Sequence, residues 1–140
     1  MMNLYMVILG CNLPNRHIEQ HDVFFNVGAD LLSLKQSMYD FWPEAGENLH
    51  IDSYRAVSRV GNYEIKIVDR GNGDKQNELN LYFLNLGGYK PNDMEEFHYK
   101  QLVVAKSIEE AIATATENTF YKHHSEPHVD NKYGIDVDDI

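Results

Sequence analysis

The sequence predicts an α+β fold: two pseudo-symmetric β-β-α-β repeats forming one mixed or antiparallel sheet, with helices packed on it. Three observations carry this expectation. Residues 80–98 repeat residues 3–21 at a constant offset of 77, with nine identities in nineteen positions, where unrelated segments of ordinary composition share roughly one. Each copy opens on a short apolar run of strand length, residues 4–9 and 81–86, the pattern of a strand covered on both faces. Each then passes through an alternating stretch into apolar residues at helical spacing.

The chain-wide totals bound the rest. The 140 residues suit one domain with a real core. Within it the repeats occupy about 3–54 and 80–133, separated by a hairpin and linker at about 55–79 and followed by an acidic tail at 134–140. With 22 acidic against 12 basic residues the formal charge is −10, which repels a phosphate backbone and argues against nucleic-acid binding. Cys11 is the sole cysteine, so no internal disulfide can form. The N-terminus lacks a basic region before its apolar run, so no signal peptide is read. No run approaches the ~20 apolar residues of a membrane helix. A cytoplasmic protein with no membrane partner is the expectation.

Taken in order, the first apolar run ends at Gly10 and its twin at Gly87, each followed by a Pro-Asn turn, Pro14-Asn15 and Pro91-Asn92. A second strand follows from about residue 19 to 27. Alternation puts Glu19, His21, Val23, Phe25 and Val27 on one face, and Glu96, His98, Lys100, Leu102 and Val104 on the matching face of the second copy. Asp30 can cap a helix whose apolar stripe is Leu31, Leu34, Met38 and Phe41. Ser107 with Glu110 forms a capping box for the second helix, whose stripe is Ile108, Ala111, Ile112 and Ala115. The small residues of that stripe let the helix lie close to its sheet. Next, His50-Ile51-Asp52 matches His128-Val129-Asp130 at an offset of 78. Val60-Gly61-Asn62-Tyr63 fits a two-residue primed turn, with Arg59 opposite Glu64 as a cross-strand ion pair.

The chemistry-bearing residues are Glu19, His21, His50 and Asp52, echoed by Glu96, His98, His128 and Asp130. Imidazole and carboxylate can ligate a transition metal or share a proton. They can also pin strand ends as a hydrogen-bond network, since buried polar groups need partners. Duplication favours this second use, because copying a gene carries structural needs into both halves. His123 and His124 beside His128, together with His98, are the further metal candidates, although no established ligand spacing is met. Short connections keep consecutive elements adjacent, so His21 is expected near His50 or Asp52, and His98 near His128 or Asp130.

The motifs Leu9-Gly10-x-x-x-Pro14, Glu19-x-His21, Phe41-Trp42-Pro43-Glu44, His50-Ile51-Asp52, Asn85-Leu86-Gly87-Gly88-Tyr89, His98-Tyr99-Lys100 and Phe120-Tyr121-Lys122-His123-His124 resemble an uncharacterised bacterial family, the domain of unknown function 1543. The resemblance covers nearly the whole chain and implies a bacterial protein built on a unit of about fifty residues, in line with the repeat. It implies no activity. The leading expectation is therefore a non-enzymatic binding or structural module, self-associating as a homodimer, with its small-molecule ligand unknown and no cofactor. The alternative is a small metal-dependent or acid–base enzyme using the Glu/His/Asp groups, with Zn²⁺ or Mn²⁺ as the metal.

Overall fold

The computed structural model describes residues 1–69, 71, 78–119 and 135–139. The chain divides into two compact units, Met1–Gly71 and Asn72–Ile140.

In the first unit, strands β1 (Asn3–Cys11), β2 (Gln20–Gly28) and β3 (Leu49–Ala56) form an antiparallel sheet in the order β2-β1-β3. Tyr5, Val7 and Leu9 of β1 point to one face and pack with Phe24, Leu34 and Met38. This is the period-2 alternation of a strand meeting the helical stripe expected from the sequence. Asp30 opens the helical segment as a cap: its Oδ1 accepts the Ser33 N–H at 2.8 Å, and its carbonyl accepts the Ser33 hydroxyl at 2.7 Å. The segment starts as a 3₁₀ turn (Leu32–Leu34) and becomes α1 (Lys35–Phe41). Pro43 cannot continue the α-helical bonding, and a second 3₁₀ stretch (Pro43–Asn48) leads into β3.

A ribbon of β4 (Arg59–Val60) and β5 (Tyr63–Glu64) follows, in the register Val60 with Tyr63 and Arg59 with Glu64. Of the two central turn residues only Gly61 has positive φ, 56°, which is the pattern of a II′ rather than a I′ turn. Glu64 pairs with Lys66 at 3.0 Å. Both groups are well exposed, so Glu64 takes Lys66 in place of the expected Arg59 at little cost.

In the second unit, β6 (Asn80–Tyr89), β7 (Glu96–Ala105) and β8 (Ile135–Asp139) form an antiparallel sheet in the order β7-β6-β8, with α2 (Ile108–Thr119) between β7 and β8 in sequence. Leu84, Leu86, Val103, Ala105, Ala111 and Ala115 make its core. The Ser107 hydroxyl accepts the Glu110 N–H at 3.2 Å, and Glu110 reaches back to the Lys106 N–H at 2.9 Å. Ile108, expected in the buried stripe, is instead 45% exposed. It is the first helical residue, ahead of the turns that touch the sheet. Gln101 donates to the Ala115 carbonyl at 3.1 Å, tying β7 to the helix.

One sequence expectation needs correction. The strands form separate sheets, all antiparallel, rather than one. Each central strand, β1 or β6, is already hydrogen-bonded on both edges by strands of its own unit, so no pairing capacity remains there for the other copy. The His128-Val129-Asp130 segment, matched in sequence to the third strand of the first sheet, lies outside the described residues, and the described third strand of the second sheet comes from further along the chain. It is residues 135–139, taken from the sequence as an acidic tail. Ile135-Asp136-Val137-Asp138 has the same apolar–polar alternation as Leu49-His50-Ile51-Asp52, and alternation rather than residue identity is what a sheet edge selects.

The registers of the two sheets run in parallel. Asn3 pairs with Gly28 and Gly10 with His21 in the first sheet, while Asn80 pairs with Ala105 and Gly87 with His98 in the second. The outer pairing of each central strand is interrupted at a β-bulge, between Ile8 and Leu9 in one and Asn85 and Leu86 in the other. Asn15 and Asn92, in the Pro-Asn turns, both adopt positive φ, 63° and 67°. The Lys90 carbonyl accepts the Asp93 N–H at 3.1 Å, closing a type II turn with proline at its second position and asparagine in the left-handed third.

Candidate metal centre

Gly10 is the floor of the site. On the central strand it lies opposite His21 of β2 on one side and His50 of β3 on the other. The strands' alternation turns all three positions away from the core face that carries Leu9. A Cβ on Gly10 would sit 2.6 Å from His50 Nε2 and 3.0 and 3.1 Å from the two Asp52 carboxylate oxygens. Only glycine leaves room for the groups that meet above it.

Asp52 owes its position to the bulge. Leu9 pairs with Ile51 and Ile8 with Ser53, so Asp52 is the extra residue on β3. A bulge re-aims a side chain without ending the strand, and Asp52 joins His50 over the glycine. Glu19, immediately before β2, completes the group and accepts a bond from the Asn12 amide at 3.2 Å.

The four side chains form a closed square. His21 Nε2 lies 2.7 Å from Asp52 Oδ2 and 3.2 Å from Glu19 Oε2. His50 Nε2 lies 2.7 Å from Glu19 Oε1 and 3.2 Å from Asp52 Oδ1. The expected neighbourhood of His21 and Asp52 is thus a direct contact. All four side chains are between 30% and 42% exposed, so the square is open to solvent on one side.

A bare imidazole lone pair facing a carboxylate oxygen at this range is repulsive, so each short contact needs a proton or a cation. His50 makes the requirement explicit. Its Nδ1 lies 3.0 Å from the Asn48 carbonyl, which accepts a hydrogen bond from Nδ1–H and leaves Nε2 as the atom facing the carboxylates. That backbone bond is the first cause of a His50 pKa raised above its ordinary 6.5; desolvation, the next largest effect, opposes it, and the negative charges of Glu19 and Asp52 and the bond to Glu19 add to it.

A raised folded-state pKa means that protonated His50 contributes stability in full below the unfolded value, and that this contribution fades as pH rises through the folded value. The stability difference between wild type and His50→Gln, from urea midpoints, should be largest below the ordinary histidine value of about 6.5 and shrink as pH rises above it. A difference that grows with pH would refute the assigned protonation.

The sequence singled out all four residues of this square but gave no role to Gly10, Asn12 or the Asn48 carbonyl. Gly10 could have been found, since it and Gly87 are shared by both copies at the same register. In the second unit, His98 Nε2 is 3.9 Å from Glu96 Oε2. Gly87 lies opposite His98 on one side and Asp136 on the other, and Asp138 occupies the bulge position. His123, His124, His128 and Asp130 lie outside the described residues. Among the described residues, the groups of three or more potential ligands close enough to share an ion reduce to Glu19, His50 and Asp52, with His21 bonded to two of them.

Comparison with known proteins places the fold and little more. The chain resembles the crystal structure of a protein from Idiomarina loihiensis, with 23% identity, a TM-score of 0.63, and coverage of 99% of this chain and 86% of that one. At that identity the likeness speaks for the fold alone. Among curated proteins none matches, and among the described residues no helix is long and apolar enough to cross a membrane. Residues 16–67 match the model of the family described as Domain of Unknown Function (DUF1543), a segment that holds Glu19, His21, His50 and Asp52 together.

Proposed function

We propose that the chain is a binding module whose first unit holds one divalent transition cation, Zn²⁺ or Mn²⁺, between His21, His50, Glu19 and Asp52. The observation that supports this is the convergence of two Nε2 atoms and two carboxylates over Gly10, each nitrogen within 3.2 Å of an oxygen from both acids. Two nitrogen and two oxygen donors suit Zn²⁺ or Mn²⁺. The Nδ1 bond of His50 to a backbone carbonyl is the outer contact that orients a ligating imidazole. Bonds of about 2.0–2.2 Å space tetrahedral ligands about 3.3–3.6 Å apart. The 3.2 Å contacts therefore nearly fit. Glu19, His50 and Asp52 already bring donor atoms within 4.8 Å of one another, whereas the 2.7 Å contacts must open and His21 must move in, by rotamer adjustments that these exposed side chains can make. In this reading the metal-free square is held by protons, and the cation displaces them.

A second reading has the square simply pin β2 and β3 across β1, and the 2.7 Å contacts, which are ordinary charge-assisted hydrogen-bond lengths, favour it. Calorimetric titration of chelator-treated protein separates the two. The metal reading predicts saturable Zn²⁺ binding that tightens as pH rises and is lost in His21→Ala/His50→Ala. The pinning reading predicts no specific heat.

The parallel registers also support reading the two units as diverged copies.

A further inference from the structure

The helical side of the first sheet carries a separate feature: a cavity of about 420 Å³ between α1, the 3₁₀ turn before it and strands β1 and β3. Leu9, Leu31, Met38, Leu49 and Ile51 line it. It opens past Leu32 and Ile51, which are 79% and 41% exposed, so an apolar interior meets solvent at an apolar lip. Two polar groups stand on the same wall, Lys35 and Tyr39, one helical turn apart on α1. Among the described residues Lys35 has no ion pair and the Tyr39 hydroxyl no hydrogen bond. No acidic residue lines the cavity.

A concave, mostly apolar site with a few convergent polar groups, at the small end of the usual range of about 300–1,000 Å³, is the form of a small-molecule site. The charge balance narrows the class. The chain carries a formal −10, so an anion is disfavoured by the protein as a whole. Here, though, an unpaired ammonium and a phenol stand at the edge of an apolar chamber with no carboxylate to oppose them. Burying an apolar tail supplies the drive, and a charge-assisted bond to Lys35 fixes one end. A cationic or neutral amphiphile would gain only the first of these.

We infer that this cavity binds an amphipathic monocarboxylate, its aliphatic body among Leu9, Leu31, Met38 and Ile51 and its carboxylate on Lys35 and Tyr39. The site lies on the opposite face of the sheet from the Glu19–His21–His50–Asp52 square and goes beyond the metal reading, although His50 borders both.

Decanoate below its micelle concentration is the probe, titrated into chelator-treated protein and followed by backbone amide shifts, with decyltrimethylammonium as control. Saturable shifts confined to residues around Leu9, Leu31 and Ile51 are expected. Lys35→Gln, at an exposed position that leaves the fold intact, should weaken decanoate about tenfold and leave the control unchanged. Leu32→Glu, also at an exposed position, should abolish decanoate binding by setting a carboxylate at the lip. Equal decanoate affinity in wild type and Lys35→Gln would overturn the proposal. So would equal affinity for the two amphiphiles, shifts mapping elsewhere, or a face closed by a second copy of the chain, seen as a dimer that Leu32→Glu dissociates and that takes up no decanoate.

Discussion

Zn²⁺ added to chelator-treated protein is expected to raise the melting temperature in proportion to the logarithm of its concentration above Kd, and His50→Ala is expected to abolish that response. A ligand that binds only the folded state stabilises it by about 2.7 kcal/mol at a hundred times Kd and about 4.1 kcal/mol at a thousand times. Such a shift is large against the marginal stability of a small unit. In the metal-free protein His50→Ala should cost little, because the square is partly exposed and water can replace its contacts. The two halves of the prediction work together. A site that merely pins strands gives the opposite pattern: no response to Zn²⁺ and a destabilised variant. A Zn²⁺ response that survives in His50→Ala would move the binding to another part of the chain.

The second large effect is expected from a single added methyl group. In Gly10→Ala the new Cβ would lie 2.6 Å from His50 Nε2 and 3.0 Å from Asp52 Oδ1, closer than such atoms approach. The imidazole must swing out, losing its 2.7 Å contact with Glu19. Metal affinity should fall by a factor on the order of 10², as when a group that orients a ligand is removed, while the fold survives, since the displaced ring moves toward solvent. Gly28→Ala is the matched control. Its Cβ would meet Leu34 and the Ser33 hydroxyl at 2.8 Å, on the core side of the same sheet. That change should destabilise by about 1–3 kcal/mol through overpacking and leave metal binding intact in the folded fraction. Unchanged affinity in Gly10→Ala would refute the role given to the glycine.

The first two strands of each sheet were legible in their apolar and alternating runs, and the turns at Asn15 and Asn92 in the Pro-Asn motif. The square in the first unit was legible in parts. Alternation put Glu19 with His21 and His50 with Asp52, and adjacency suggested that the pairs meet. That they meet over Gly10 could not be read, because it depends on which strand lies between the other two. At the end of the chain, matching residues pointed to His128 and Asp130, which lie outside the described residues. The third strand of the second sheet is Ile135–Asp139, which shares with residues 49–52 its alternation. The prediction of one sheet failed on hydrogen-bond capacity. Two apolar central strands suggested a shared sheet, but β3 and β8 each fill the free edge of the central strand in their own unit.

The central claim is that His21 and His50 direct their Nε2 atoms at one cation. Long-range proton–nitrogen correlation spectra of the histidine rings, recorded on ¹⁵N-labelled protein before and after Zn²⁺, test it most directly. Two of the seven rings, assigned to His21 and His50 through their alanine variants, are expected to shift at Nε2 to metal-bound values. The Nδ1 of His50 should stay protonated on the Asn48 carbonyl. Spectra in which those two rings do not move, or in which the ring nitrogens of other histidines move instead, would contradict it.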